Sequence, residues 1–334
     1  MRRWLLSSTS LMLALFAGAA GAQAPSVQQP PPRALDQAAF AEVERALLTE
    51  AFGDVQSVVV LQRGRLVYEF YRDGEAAQLR EVASVTKSVL STLVGIAIGQ
   101  GRIASLDQPV LQLMPEWAGL NADARAGAIT MRHLLSMSAG FRLSGTGLAL
   151  SAREAWARPL RAAPGQLFGY DNALVPVLSA ILEKAAGQPL PDYARRELAA
   201  PLGIDHFEVR RGLRLRTLDM ARLGQLFLQK GRWEQGRQIV PEDFVNAATR
   251  PQNAGGAPLG LPYGFMWWVV PGAPARQTYM AAGFGGQFIW VHEPLGLVVA
   301  VNSTVSLASN ERGQAMRLIR QQIFGAAHKR AAAP

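Results

Sequence analysis

Apolar positions recur on every face of residues 85–98 (VTKSVLSTLVGIAI), and Lys87 is the only charge among them. The pattern predicts a helix buried in a core rather than laid on a surface. Elsewhere the periodicity changes along the chain. Residues 35–48 have helical spacing, with Asp36 placed to cap the start. Residues 55–62 and 66–71 are rich in β-branched and aromatic side chains and flank Arg63-Gly64-Arg65, a hairpin signal. From 107 to 250 helical patterns follow one another between prolines and glycines, at 131–136, 174–186, 190–199, 218–229 and 242–249. Strand patterns return at 263–270, 286–292 and 297–302, and a last amphipathic helix is predicted over 311–323.

Strands at both ends around a helical middle imply a discontinuous α+β layout, an antiparallel sheet flanked by helices with a mainly helical second lobe. The expected boundaries are a signal peptide at 1–22, a Pro- and Gln-rich leader at 23–34 and one domain at 35–330. Within it, 35–83 and 255–330 would build the α/β lobe and 84–254 the helical one. Small-molecule sites form in clefts between such lobes. Ser84 stands where the chain passes from one to the other.

With 334 residues the chain can bury a sizeable core, and 49% hydrophobic against 18% charged residues describes a globular protein. Arg2 and Arg3, an apolar run at 11–20 and the small residues Ala20-Gly21-Ala22 read as a secretory signal. No later stretch is long and apolar enough to span a bilayer. There is no cysteine, hence no disulfide framework and no lipidated cysteine. The expectation is a soluble exported protein, most simply in a bacterial periplasm, without stable membrane insertion. Net charge is +9, and the one basic cluster, Arg210, Arg211, Arg214 and Arg216, lacks interleaved aromatics. It reads as a solvated surface, not a nucleic-acid site.

An ammonium inside an apolar helix is costly unless it has partners or gives up its proton. Positions i and i+3 share a helix face, so the Ser84 hydroxyl and the Lys87 amine should lie side by side. At the helix start the positive dipole end and free N–H groups could hold an oxyanion. These are the parts of an activated serine nucleophile; the alternative is an N-capping serine and a snorkelling lysine. Tyr170-Asp171-Asn172 follows the Pro164-Gly165 turn and precedes the 174–186 helix. A nearby ammonium would favour the Tyr170 phenolate, making it a proton relay, and Asn172 could bond Lys87 or a substrate carbonyl. A packed tyrosine and a capping asparagine are the alternative. In residues 281–287 (AAGFGGQ) the glycines admit substrate along a strand edge, where a free N–H could complete an oxyanion hole; otherwise they form only a turn.

None of the four histidines, His133, His206, His292 and His328, belongs to a G-x-S-x-G triad signature or an H-E-x-x-H site, so neither metal nor cofactor is expected. His133 reads as structural. Trp156, Trp267 and Trp268 read as core, and Phe284 as a substrate wall.

Ser84-Val85-Thr86-Lys87, Tyr170-Asp171-Asn172 and the glycine-rich strand, in that order, resemble the serine β-lactamase-related superfamily, for which S-x-x-K is a known signature. The Tyr-x-Asn element is similar to the class C branch, which includes esterases, D-amino-acid peptidases and 6-aminohexanoate-dimer hydrolases. Residues 129–140, 169–203, 219–224 and 263–268 also resemble family segments. The resemblance implies a β-lactamase/transpeptidase-like fold and a small ester or amide substrate. Ser84 would be the nucleophile, Lys87 and Tyr170 the proton carriers, and Asn172, Gly283, Phe284 and Gly285 the substrate and oxyanion side. The backbone N–H groups of Ser84 and Phe284 would be the oxyanion donors. Where the family usually has Lys-Thr-Gly or His-Thr-Gly, this chain has Ala281-Ala282-Gly283, which argues against efficient β-lactam hydrolysis. The competing expectation is a non-catalytic member that binds peptidoglycan peptides.

Overall fold

The valines of β1 (Val55–Gln62) are covered on both faces, which is why the strand reads as an apolar run; Val58, Val59 and Val60 are wholly buried. In the computed structural model the described residues are 36, 38–143, 149–209, 212–272, 277–304 and 313–332. The expected signal peptide and leader, and Arg210 and Arg211, lie outside them. Residues 34–334 form one unit.

β1 pairs with β2 (Arg65–Tyr71) in the predicted hairpin and with β11 (Leu297–Ser303) on its other side. A short β3 (Arg80–Glu81) pairs with β5 (Leu213–Leu215), which also takes β4 (Glu208–Val209). The remaining strands are β6 (Asn253–Gly256), β7 (Leu261–Tyr263), β8 (Trp268–Val270), β9 (Thr278–Gly283) and β10 (Gln287–His292). The main sheet runs β2-β1-β11-β10-β9-β8-β7-β6, antiparallel throughout. The architecture is the mixed helix and antiparallel sheet expected.

The helices are α1 (Ala41–Leu48), α2 (Val85–Gly99), α3 (Val110–Leu113), α4 (Met131–Leu135), α5 (Ala152–Trp156), α6 (Leu174–Ala186), α7 (Leu190–Ala194), α8 (Thr217–Leu228), α9 (Glu242–Ala248), α10 (Gly313–Leu318) and α11 (Phe324–Ala332). Successive side chains of a strand point to opposite faces. Ile289 of β10 meets α8, where a Cβ at Gly224 would stand 2.7 Å from it, while Trp290 meets Phe324 of α11 edge-on at 6.1 Å. The sheet is therefore sandwiched between α8 and the C-terminal helices. Among the described residues no helix is long and apolar enough to cross a membrane.

Several expected elements differ, among them the last helix, which runs on from Gly313 to Ala332 rather than ending at 323, and the 84–254 segment, which also carries β4 and β5. The first helix begins at Ala41, and Asp36 does not cap it but pairs with Arg330 at 3.1 Å. The expected 263–270 strand is two strands, because the chain folds back at 264–267: the Gly264 N–H donates to Trp267 O at 2.8 Å and Met266 takes φ +59°. Residues 281–287 do not simply lead into a strand; they end β9 and make the turn into β10.

Candidate active site

α2 is the buried helix its sequence predicts, with every residue but three, from Val85 to Gly99, buried. Two of its hydroxyls fix it to the 264–267 turn: Ser88 Oγ donates to Met266 O at 2.6 Å and Ser91 Oγ to Phe265 O at 2.7 Å. Gly95 lets α9 approach, since a Cβ there would lie 2.6 Å from the Phe244 ring. The helix is thus held rigidly, and its first turn with it.

That turn starts from a strained residue. Ala83 has φ +46°, a left-handed conformation that costs an L-residue about 1–2 kcal/mol. The N–H groups of Val85, Thr86 and Lys87 donate to the carbonyls of Val82, Ala83 and Ser84 at 3.0–3.1 Å. This corrects the expectation of several free N–H groups at the helix start; the preceding turn has already used them. The Ser84 hydroxyl caps no N–H. It accepts instead from Lys87 Nζ at 3.0 Å. The capping alternative is thereby removed, as is the snorkelling one, because Lys87 is only 4% exposed.

Lys87 has two further neighbours. Its Nζ donates to Asn172 Oδ1 at 2.8 Å and lies 4.8 Å from the centre of the Tyr170 ring. Burial, which disfavours the charged amine, lowers its pKa to about 8, while the Asp171 carboxylate pulls the other way. A neutral amine is therefore accessible near neutral pH, within reach of a hydroxyl.

Tyr170 and Asn172 come from the loop before α6. The loop is tied to the turn after α4 by Gly165 N–H to Ser138 O and Gly169 N–H to Met137 O, both at 2.8 Å. The Tyr170 ring stacks on Trp268 at 5.7 Å, and Tyr263 meets it edge-on at 6.2 Å. Burial raises the Tyr170 pKa, and a side-chain hydrogen bond with Ser84 partly offsets the rise. Lys87 lies over the ring, and burial favours the protonated phenol against the phenolate that a nearby ammonium was expected to favour. Asn172 is exposed at the rim.

The fourth segment arrives through Gly283. A Cβ there would stand 2.6 Å from Val82 O and 3.1 Å from Ala83 Cβ, so the end of β9 presses on the two residues before Ser84. Gly283 pairs with Gln287, and Phe284, half-buried, opens the turn between them. Gly285 and Gly286 supply its left-handed angles, φ +81° and +88°. The Gln287 amide holds the turn, donating to Gly285 O at 3.3 Å and Ser303 O at 2.8 Å. Ser84, Lys87, Tyr170, Asn172 and Gly283 therefore converge, with Phe284 and Gly285 following directly.

The sequence assigned no role at the site to Ser88, Ser91, Asp171 or Arg158, and Trp268, whose indole lies behind Tyr170, read as core. Isolated hydroxyls in an apolar helix were the available signal for the serines. His133 is structural, its Nδ1 accepting from Thr130 N–H at 3.1 Å; His292 faces Thr278 and His328 its own helix. Trp156 and Trp267 are core. Among the described residues no group of three His, Cys, Asp or Glu could hold a metal.

The profile of a family described as Beta-lactamase matches residues 41–322. Esterase EstB of Burkholderia gladioli is 30% identical over 204 residues, 51% of this chain and 52% of that one, so the match spans about half of the relative. The 6-aminohexanoate-dimer hydrolase of Paenarthrobacter ureafaciens is 26% identical over 271 residues, covering 70% and 68%. A candidate beta-lactamase from Bacteroides dorei DSM 17855 superimposes with a TM-score of 0.74 at 19% identity, covering 88% of this chain and 99% of that one. At that identity the likeness speaks for the fold alone.

Proposed function

The chain belongs to the Beta-lactamase family, and on that footing we propose that it cleaves an ester or amide bond through an acyl-enzyme on Ser84. Its relatives support reading it as a hydrolase of the serine β-lactamase-like superfamily. One observation carries the finer reading: a buried amine of lowered pKa, 3.0 Å from a hydroxyl that performs no structural capping.

Neutral Lys87 takes the Ser84 proton as Oγ attacks the carbonyl carbon. The carbonyl π electrons move onto oxygen, which rests on the N–H groups of Ser84 and Phe284. Tyr170, a phenol kept protonated by burial, donates to the leaving oxygen or nitrogen as its bond to carbon breaks. The Lys87 proton then restores the phenol. Water attacks the acyl-enzyme in the reverse sense, releasing the acid and Ser84. Asn172 keeps its carbonyl on Lys87, so its NH₂ is the group that would meet a substrate oxygen.

β9 supplies Ala281, Ala282 and Gly283 at this place, with neither cation nor hydroxyl. A substrate carboxylate would find no charged partner on that strand, so uncharged esters and linear amides fit better than penicillins. Mixing the protein with a nitrophenyl ester should release a burst of nitrophenolate equal to the enzyme present, with penicillin turnover far slower. A protein inert toward both would favour the peptide-binding alternative.

A further inference from the structure

Asp171 lies between the two loop residues that touch the site, yet its side chain points into the protein. One carboxylate oxygen, Oδ1, accepts from the Ala173 N–H at 3.0 Å. The other is 2.7 Å from Arg158 Nη2. The aspartate side chain is buried, 3% exposed, and the arginine is mostly covered at 11%. Arg158 is itself fixed: its Nε donates to Ala155 O at 2.9 Å, its Nη1 to Arg142 O at 3.1 Å, and its guanidinium lies 5.0 Å from the centre of the Phe141 ring. The peptide carrying Tyr170 and Asn172 is thus anchored through the Asp171 carboxylate to a cation that is itself held by backbone carbonyls.

We propose that Arg158 and Asp171 are a positioning pair for the reaction, fixing the backbone between Tyr170 and Asn172 and leaving a paired rather than a lone carboxylate beside the site. A lone Asp171 charge would favour the protonated form of Lys87, and a guanidinium 2.7 Å from that carboxylate opposes the effect. The buried carboxylate and the mostly covered guanidinium are screened less than exposed charges would be. Asp171 is the charge that acts on Lys87, and Tyr170 is the other titratable group facing it. The acids of α9 and Glu197 lie toward the far end of α2, where Glu197 bonds Gln100 and Pro241 meets Gly99. β9 brings alanine and glycine.

This inference rests on the acyl-enzyme reading only for its effect on turnover. The chain has four lysines, Lys87, Lys184, Lys230 and Lys329, so ¹³C-lysine NMR resolves the Lys87 titration directly, with Lys87→Met identifying its signal. In Arg158→Gln the midpoint should rise by about one pH unit, and in Asp171→Asn it should fall by about as much. Arg158→Lys should restore the parental value, and the double variant Arg158→Gln/Asp171→Asn should lie near it. The pH at which kcat/KM for a nitrophenyl ester rises should move with each midpoint. Unchanged midpoints in the folded variants would overturn the inference, as would loss of folding in every charge-changing variant, since the pair would then serve structure alone. Shifted midpoints without ester turnover would instead remove the acyl-enzyme reading and leave the electrostatic balance standing.

Discussion

Ser84→Ala and Lys87→Met should each lower kcat/KM for a nitrophenyl ester at least about 10³-fold, and the double variant should lose no more. The two side chains act as one unit across a 3.0 Å bond, so removing either removes the nucleophile's activation. Their effects on stability should differ. Methionine nearly matches the shape of lysine without an ammonium, and the wild-type amine is 4% exposed. Lys87→Met should therefore keep or raise the thermal midpoint while abolishing turnover, because a costly buried charge is gone. In the parent, the proton on Lys87 blocks catalysis, so kcat/KM should climb with pH and level off above about 8. Steady-state rates across pH and a thermal melt check both halves. A Lys87→Met protein within tenfold of parental activity would end the role assigned to the amine.

Gly283→Val should cost about 10²-fold in kcat/KM with a lesser loss of stability. The reason is space. Any Cβ at 283 would meet Val82 O at 2.6 Å and Gln287 Cβ at 2.9 Å, and a backbone oxygen cannot rotate away. Either β9 or the 82–84 turn must move, and that turn carries Ser84. Displacements well under an ångström suffice to disturb a hydroxyl that must meet both its base and its oxyanion donors. Gly325→Ala, where nothing lies within 4 Å of the added methyl, is the matched control and should leave activity unchanged. Equal activities for the two variants would mean that the end of β9 does not shape the site.

The site was legible in the sequence where a residue contradicted its own surroundings. Lys87 stands out because no other charge interrupts its apolar helix, and Ser84 follows from helical spacing alone. Tyr170 and Asn172 required the family pattern, since a loop sequence carries no sign of what it faces. Asp171 was hidden for another reason: between an aromatic and an amide in a turn, an aspartate looks like turn chemistry. Its partner Arg158, thirteen positions earlier, belongs to a segment with no periodic signal. The residue pattern alone did not mark 278–283 as a strand, because Met280, Ala281, Ala282 and Gly283 have weak strand preference and the sheet's own neighbours determine their conformation. The 264–267 fold-back could not be read from an aromatic run that favours strand, since it depends on contacts with α2 and with Ala248. The left-handed Ala83 gave no warning either, alanine being the residue least suggestive of strain.

The central claim is that the substrate's acyl group passes onto one oxygen. Quenching the reaction with a nitrophenyl ester in acid during the first turnover, digesting the protein and weighing its peptides locates that group. The acyl mass should sit on the peptide containing Ser84, at close to one per molecule, and should be absent from the Lys87→Met protein. An acyl mass found on another peptide, or full turnover with none trapped on Ser84, would contradict the account.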